Sequence, residues 1–127
     1  MEKELVKNIV DKVYPLVKQF YGKSTFKNKY PKIKYHHNIY ARVSGIDDMV
    51  GEISPSAEYD RYNNIIWIYY PEGRSRKWVI QTLLHEYTHY LQSPIWMKRY
   101  YTMGYQYDTH PYEIAAKKSE SNWEMFT

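Results

Sequence analysis

Residues 75–92, Ser-Arg-Lys-Trp-Val-Ile-Gln-Thr-Leu-Leu-His-Glu-Tyr-Thr-His-Tyr-Leu-Gln, decide how the chain is read. Val79, Leu83, Leu84, Tyr87 and Leu91 recur at steps of three and four, which predicts a helix over 75–92 with one apolar stripe. Pro94 stops it. Inside this helix lies His85-Glu86-Tyr87-Thr88-His89. Residues four apart sit one turn apart on one face, so both imidazoles can reach a single ion at about 2.0–2.1 Å. Glu86 is rotated by about a quarter turn from His85. That offset makes it a poor ligand but leaves it within reach of a water on the ion, the position of a general base in a metal-dependent hydrolase.

Three protein ligands and a water make a catalytic tetrahedral site, so a third ligand is required. Glu113, in His110-Pro111-Tyr112-Glu113-Ile114-Ala115-Ala116, is the candidate. Pro111 falls where a helix would have its first residue, which predicts a last helix over 111–125 and puts Glu113 in its first turn. The helix dipole favours an ionised carboxylate there. Ala116, one turn on, lets that helix approach closely. Glu120, seven residues beyond Glu113 on the same face, competes as a ligand. It reads better as a surface charge or as a partner for a ligating imidazole.

The remaining elements follow from the same rules. Residues 4–21 predict an amphipathic helix with Leu5, Ile9, Val13, Leu16 and Phe20 on its stripe, Val6, Val10 and Val17 beside them, Pro15 inside and Gly22 as its cap. Residues 33–43 alternate imperfectly and predict a strand, and 49–59 a second, short one. Asp60–Asn64 is a turn, and Tyr59–Tyr70 reads as a hairpin. Residues 65–70, Ile-Ile-Trp-Ile-Tyr-Tyr, are apolar on both faces, as in a strand covered on both sides or lying at a cleft. Residues 95–110 read as a connection crowded with tyrosine. The expected class is α+β: an N-terminal helix, a small antiparallel sheet, the His-bearing helix and a C-terminal helix with the third ligand, in one domain over 1–127.

Composition narrows the chemistry. Lys and Arg total 18 and Asp and Glu 14, a dispersed net charge of +4 that excludes an acidic tail or a polybasic arm. No cysteine is present, which excludes a disulfide framework, a thiolate metal site and a cysteine nucleophile. With 43% hydrophobic residues and 16 tyrosines, the chain has material for a core. The uninterrupted apolar run 65–70 is too short to cross a membrane, and the start lacks the features of a signal peptide. Both lead us to expect a cytoplasmic protein, while the absence of cysteine leaves the compartment open. His36 and His37 are neighbours in an expected strand and point to opposite faces, so they are not joint ligands. Lys27, Lys29, Lys32 and Lys34 read as a solvated face.

His85-Glu86-x-x-His89-x-x-Gln92 followed by Pro111-x-Glu113-x-x-Ala116 resembles the small zincin metallopeptidases of the gluzincin type. It is similar to compact peptidase-like domains of bacteria and their phages, whose later motif often reads Pro-Tyr-Glu-Ile-Glu-Ala. The resemblance covers residues 76–120, with Ala115 standing where those domains often carry an acid. It implies zinc held by His85, His89 and Glu113, with Glu86 as the catalytic acid and base, and a peptide or protein as substrate. It also implies a donor for the oxyanion besides the metal. Tyr101, Tyr105, Tyr107 and His110 lie between the ligands in sequence, with Tyr107 and His110 favoured because they immediately precede the third-ligand helix. The 65–70 strand is expected to pair with an extended substrate. Two rivals stand beside this reading. One is a zinc-binding but catalytically silent assembly or adaptor module, such as a phage structural protein. The other, a nucleic-acid binder stacking bases on tyrosines near Lys98, Arg99 and Lys117, is disfavoured by the scattered charge.

Overall fold

The computed structural model describes residues 1–45 and 55–127. Its centre is the helix Arg76–Leu91, started by Ser75, whose hydroxyl accepts from the Trp78 amide at 3.1 Å. Numbered in chain order, the helices are α1 (Lys3–Tyr21), α2 (Ile39–Ser44), α3 (Arg76–Leu91), α4 (Pro94–Thr102) and α5 (Pro111–Ser119). The strands are β1 (Lys32–His36), β2 (Ala57–Asp60) and β3 (Ile65–Tyr69). Short 3₁₀ segments follow β3 (Tyr70–Glu72) and α5 (Glu120–Phe126). The class is α+β.

Helix α3 packs against α1, the sheet, α5 and the final 3₁₀ segment. Val79, Ile80, Leu83, Leu84, Tyr87 and Tyr90 of α3 join Ile66 and Ile68 of β3 and Phe126 in a continuous core. Helix α1 contributes Val6, Val10, Val13 and Val17, all buried, whereas Leu5, Leu16 and Phe20 are exposed. The inward face is therefore turned from the expected stripe, with Val13 common to both. The four valines repeat at four, three and four residues, and their small β-branched side chains let α1 lie close on α3. Gly22 ends α1 at φ 75°, a conformation that only glycine adopts without strain, and its N–H bonds the Lys18 carbonyl.

The sheet has the order β1-β3-β2. Strand β2 runs antiparallel to β3, pairing Ala57 with Ile68 and Asp60 with Ile65 across the expected hairpin. Strand β1 runs parallel to β3, pairing Lys32 with Ile65 and His36 with Tyr69. The sheet is thus mixed rather than antiparallel, because a crossover containing α2 separates β1 from the hairpin. The expected 33–43 strand ends at His36, where Asn38 caps α2 by accepting from the Ala41 amide at 2.7 Å. Of the expected 49–59 strand, 57–59 lie in β2, and residues 46–54 fall outside the described residues. Of the residues 95–110 expected as connection, 95–102 are helical, since Pro94 opens α4 and Ser93 caps it. The last helix gives way after Ser119 to the tighter 3₁₀ segment.

The side of α1 that faces inward is testable. Val10→Ala should cost about 2 kcal/mol in chemical denaturation, because it empties a fully enclosed position. Leu5→Ala should stay within about 0.5 kcal/mol. The expected stripe would reverse that order.

Candidate metal centre

Residues His85 and His89 leave the same face of α3, and their rings meet edge to face with centroids 5.1 Å apart. Helix α5 supplies Glu113 from its first turn. Its Oε1 lies 3.1 Å from His89 Nε2 and its Oε2 lies 3.4 Å from His85 Nε2. One ligand atom from each of the three residues falls within 4.8 Å of the others, so the group can hold a metal ion. Close approach of α5 is allowed by Ala116, which is fully buried, and Ser119 bonds the Leu84 carbonyl of α3 at 3.3 Å.

Each imidazole is oriented from behind. His85 Nδ1 lies 2.8 Å from Glu120 Oε2, and His89 Nδ1 lies 2.8 Å from Gln92 Oε1. Both acceptors take a proton from Nδ1, which turns the Nε2 lone pair toward Glu113. Gln92 is fixed in turn by donating to the Tyr112 carbonyl of α5 at 3.0 Å. Glu120 therefore acts on the ring of His85 rather than competing with Glu113. Gln92 was legible as the residue three beyond His89 on its face.

The electrostatics call for a cation. Two imidazole nitrogens and a carboxylate face one another, and Glu113 Oε2 is buried without a hydrogen-bond partner. Burial disfavours a charged His85, yet the carboxylates of Glu113, Glu86 and Glu120 outweigh it and hold the ring's pKa up to about 9. Burial also opposes ionisation of Glu113, but His85 and His89 pull its pKa down to about 2. Glu86 is buried and lines the same cavities as the pair. Desolvation pushes its carboxyl up, against the pull of His89 and His85 and a backbone hydrogen bond from Tyr59 of β2.

The two residues expected to face the oxyanion separate. Tyr107 lines the cavities around the triad together with His85, Glu86 and Glu113. Partial desolvation of its hydroxyl and the charge of Glu113 push it up to about 12, so it stays a donor at neutral pH. His110 is fully buried and is the N-cap of α5. Its Nδ1 accepts from the Tyr112 amide at 3.0 Å and its Nε2 donates to the Met97 carbonyl at 3.0 Å. With both nitrogens spent on backbone, His110 is a structural residue rather than a catalytic one. Tyr105 and Tyr101 pack with Tyr100 and His110 in an aromatic cluster around the start of α5.

Two cavities flank the triad along β2. One, of about 470 Å³, is lined by Ala57, Trp78, Gln81 and Thr82 toward the start of α3. The other, of about 360 Å³, is lined by Tyr59, Arg61 and Met97 toward its end. Strand β3 is central, with both edges paired, so the strand at the cleft is β2, not the expected 65–70 segment. No helix among the described residues is long and apolar enough to cross a membrane. Comparison of the chain with known families, with characterised proteins and with solved structures finds no match.

Two measurements probe the centre. Glu120→Ala and Gln92→Ala, which remove no ligand, should each weaken divalent-metal binding about 10- to 100-fold in competition titrations. Metal must also displace the His85 proton that the metal-free protein carries below about pH 9. Binding near pH 7 should release about one proton, and affinity should rise about tenfold per pH unit between about pH 6 and 8.

Proposed function

We propose that this chain is a zinc-dependent metallopeptidase of the gluzincin type that cleaves extended peptide segments. The observation that carries the reading is the meeting of two imidazole Nε2 atoms on α3 with the Glu113 carboxylate on α5, beside a buried Glu86. Bonds of about 2.0–2.1 Å at tetrahedral angles put neighbouring ligand atoms about 3.3–3.4 Å apart. One ligand atom from each residue falls within 4.8 Å of the others, with a different Glu113 oxygen 3.1 Å from His89 Nε2 and 3.4 Å from His85 Nε2, a looser set than that spacing, and the nitrogen and oxygen donor set suits zinc.

His85, His89 and Glu113 would hold the ion. When bound, zinc supplies a Lewis acid for the scissile carbonyl and makes water acidic enough to ionise near pH 7. Glu86 takes the proton of the attacking water and returns it to the leaving amine. Its buried setting raises its affinity for that proton. The Tyr107 hydroxyl donates to the developing oxyanion. Gln92 and Glu120 keep the two imidazoles in the ligating tautomer. The edge of β2 that does not pair with β3 would offer backbone groups to a substrate strand, apart from the Tyr59 amide, which bonds Glu86. Cavities on both sides of the triad suit a chain that passes through the cleft and is cut internally.

The silent adaptor reading predicts a site closed by a fourth protein ligand or a cleft plugged by the tyrosine-rich segment. Among the described residues the ligand group consists of His85, His89 and Glu113, and cavities of about 470 and 360 Å³ remain beside Tyr107, which favours the enzyme.

The decisive experiment uses zinc-loaded protein and an unstructured protein substrate. Glu86→Gln should retain one zinc per chain and lose at least about 100-fold in cleavage rate. Tyr107→Phe should lose about 100-fold in kcat, with KM changing much less. Chelation should abolish cleavage and added zinc restore it. A Glu86→Gln protein as active as its parent overturns the assignment of the base, and loaded parent protein without cleavage favours the adaptor.

A further inference from the structure

Residue Arg61 follows β2 and lines the cavity that contains His85, Glu86, His89 and Glu113. Its guanidinium is held on three sides. One terminal nitrogen donates to the Gln92 carbonyl at 3.0 Å, the other to the His89 carbonyl at 2.9 Å, and the group lies 5.4 Å from the Tyr59 ring centroid. These contacts close the end of α3, where cations are favoured. They also fix the fork in place without supplying an opposite charge.

The charge of Arg61 has no carboxylate partner among the described residues. Glu58, which lines the same cavity, accepts from Arg42 and from the Tyr69 hydroxyl at 2.9 Å each. Glu113 faces the two histidines. Burial lowers the Arg61 pKa, and the groups that oppose it are the Tyr59 and Tyr112 side chains, not an acid. Two of its five N–H donors are used, which leaves three. A half-buried, immobilised cation without a counter-charge, at one end of a cleft, is prepared for an anion that arrives from outside.

We propose that Arg61 is a specificity-determining residue that binds a carboxylate of the peptide substrate, on the side of the triad where α3 ends. This rests on the peptidase reading above. Two sources share the chemistry: an acidic side chain within the peptide, and a free C-terminal carboxylate. Neutral carbonyls satisfy the capping role, whereas a carboxylate would make a charge-assisted fork.

The test separates this from catalysis by using zinc-loaded Glu86→Gln protein, in which binding is read without turnover. Peptides carrying Asp or Glu at scanned positions are titrated against their Asn or Gln counterparts, and each is made with a free and with an amidated C-terminus. One placement of the carboxylate should bind about 10- to 100-fold more tightly than its neutral form. An advantage confined to one scanned position identifies a side chain, and one confined to the free acid identifies the terminus. Adding Arg61→Gln should erase the advantage while leaving the affinity of the neutral peptide within about threefold. Arg61→Lys, which keeps the charge but not the fork, should retain part of it and serves if the glutamine variant does not fold. Equal loss for acidic and neutral peptides marks Arg61 as a helix cap alone and overturns the proposal. So does the absence of any carboxylate preference in the Arg61 protein, including the case in which no peptide binds. Absence of cleavage by the protein with Glu86 intact, beside a preserved carboxylate preference, would instead sink the peptidase reading.

Discussion

Mutual repulsion among three lone-pair-bearing groups, relieved when a positive charge sits among them, is the constraint around which this molecule is arranged. His85 and His89 present Nε2 toward a carboxylate because Glu120 and Gln92 take up the other ring nitrogens. Glu113 arrives from a separate helix and is nearly enclosed. Proton or metal can meet the demand, and a divalent ion meets it more completely, since Glu86 and Glu120 add further negative charge close by. The depth of the site matters as much as its composition. At the surface, water would screen the same groups and the demand would be slight.

Helix α3 can carry this load because its other faces are anchored. Four valines of α1 press on it from one side, β3 from another, and α5 with the final 3₁₀ segment from a third. Tyr87 and Tyr90 bring apolar rings into that core while their hydroxyls reach outward: Tyr87 bonds the Gly22 carbonyl at the end of α1, and Tyr90 donates to the Lys29 carbonyl at 3.0 Å. The tyrosine richness of the chain therefore serves the packing between elements. Further rings wrap the capping residue His110, which fixes the helix bearing Glu113.

Local rules carried the sequence reading a long way and failed where partners decide. The helix periodicity of 75–92, the start of the last helix at Pro111 and the first-turn position of Glu113 are properties of short stretches, and the structure has them. The inward face of α1 was misjudged because its apolar residues cover more than half the helix, and the choice between Val10 and Leu5 belongs to the surface it meets. The parallel pairing of β1 with β3 joins residues 33 positions apart, and nothing within either strand encodes it. The end of β1 was readable in principle, since Asn38 is a good helix starter, but the apolar residues after it mimic a strand. His110 was favoured because it precedes the helix bearing Glu113; its burial and its bond to the Met97 carbonyl depend on α4, which the tyrosine-rich composition concealed. Arg61 has no local signature, because what distinguishes it is the absence of an acidic neighbour in space among the described residues.

Strand β2 lies at the margin of the sheet and contains only Ala57, Glu58, Tyr59 and Asp60. A ladder edge that is open to a guest strand is equally open to the same strand of another molecule, the usual route by which sheets polymerise. Two features work against that outcome. Four residues offer few backbone bonds, and the strand ends on the Asp60 carboxylate, while its other acid, Glu58, is already paired with Arg42. Brevity and acidity would thus discourage self-pairing while still admitting a heterologous chain, so protection against fibrous assembly is already written into the border of the groove.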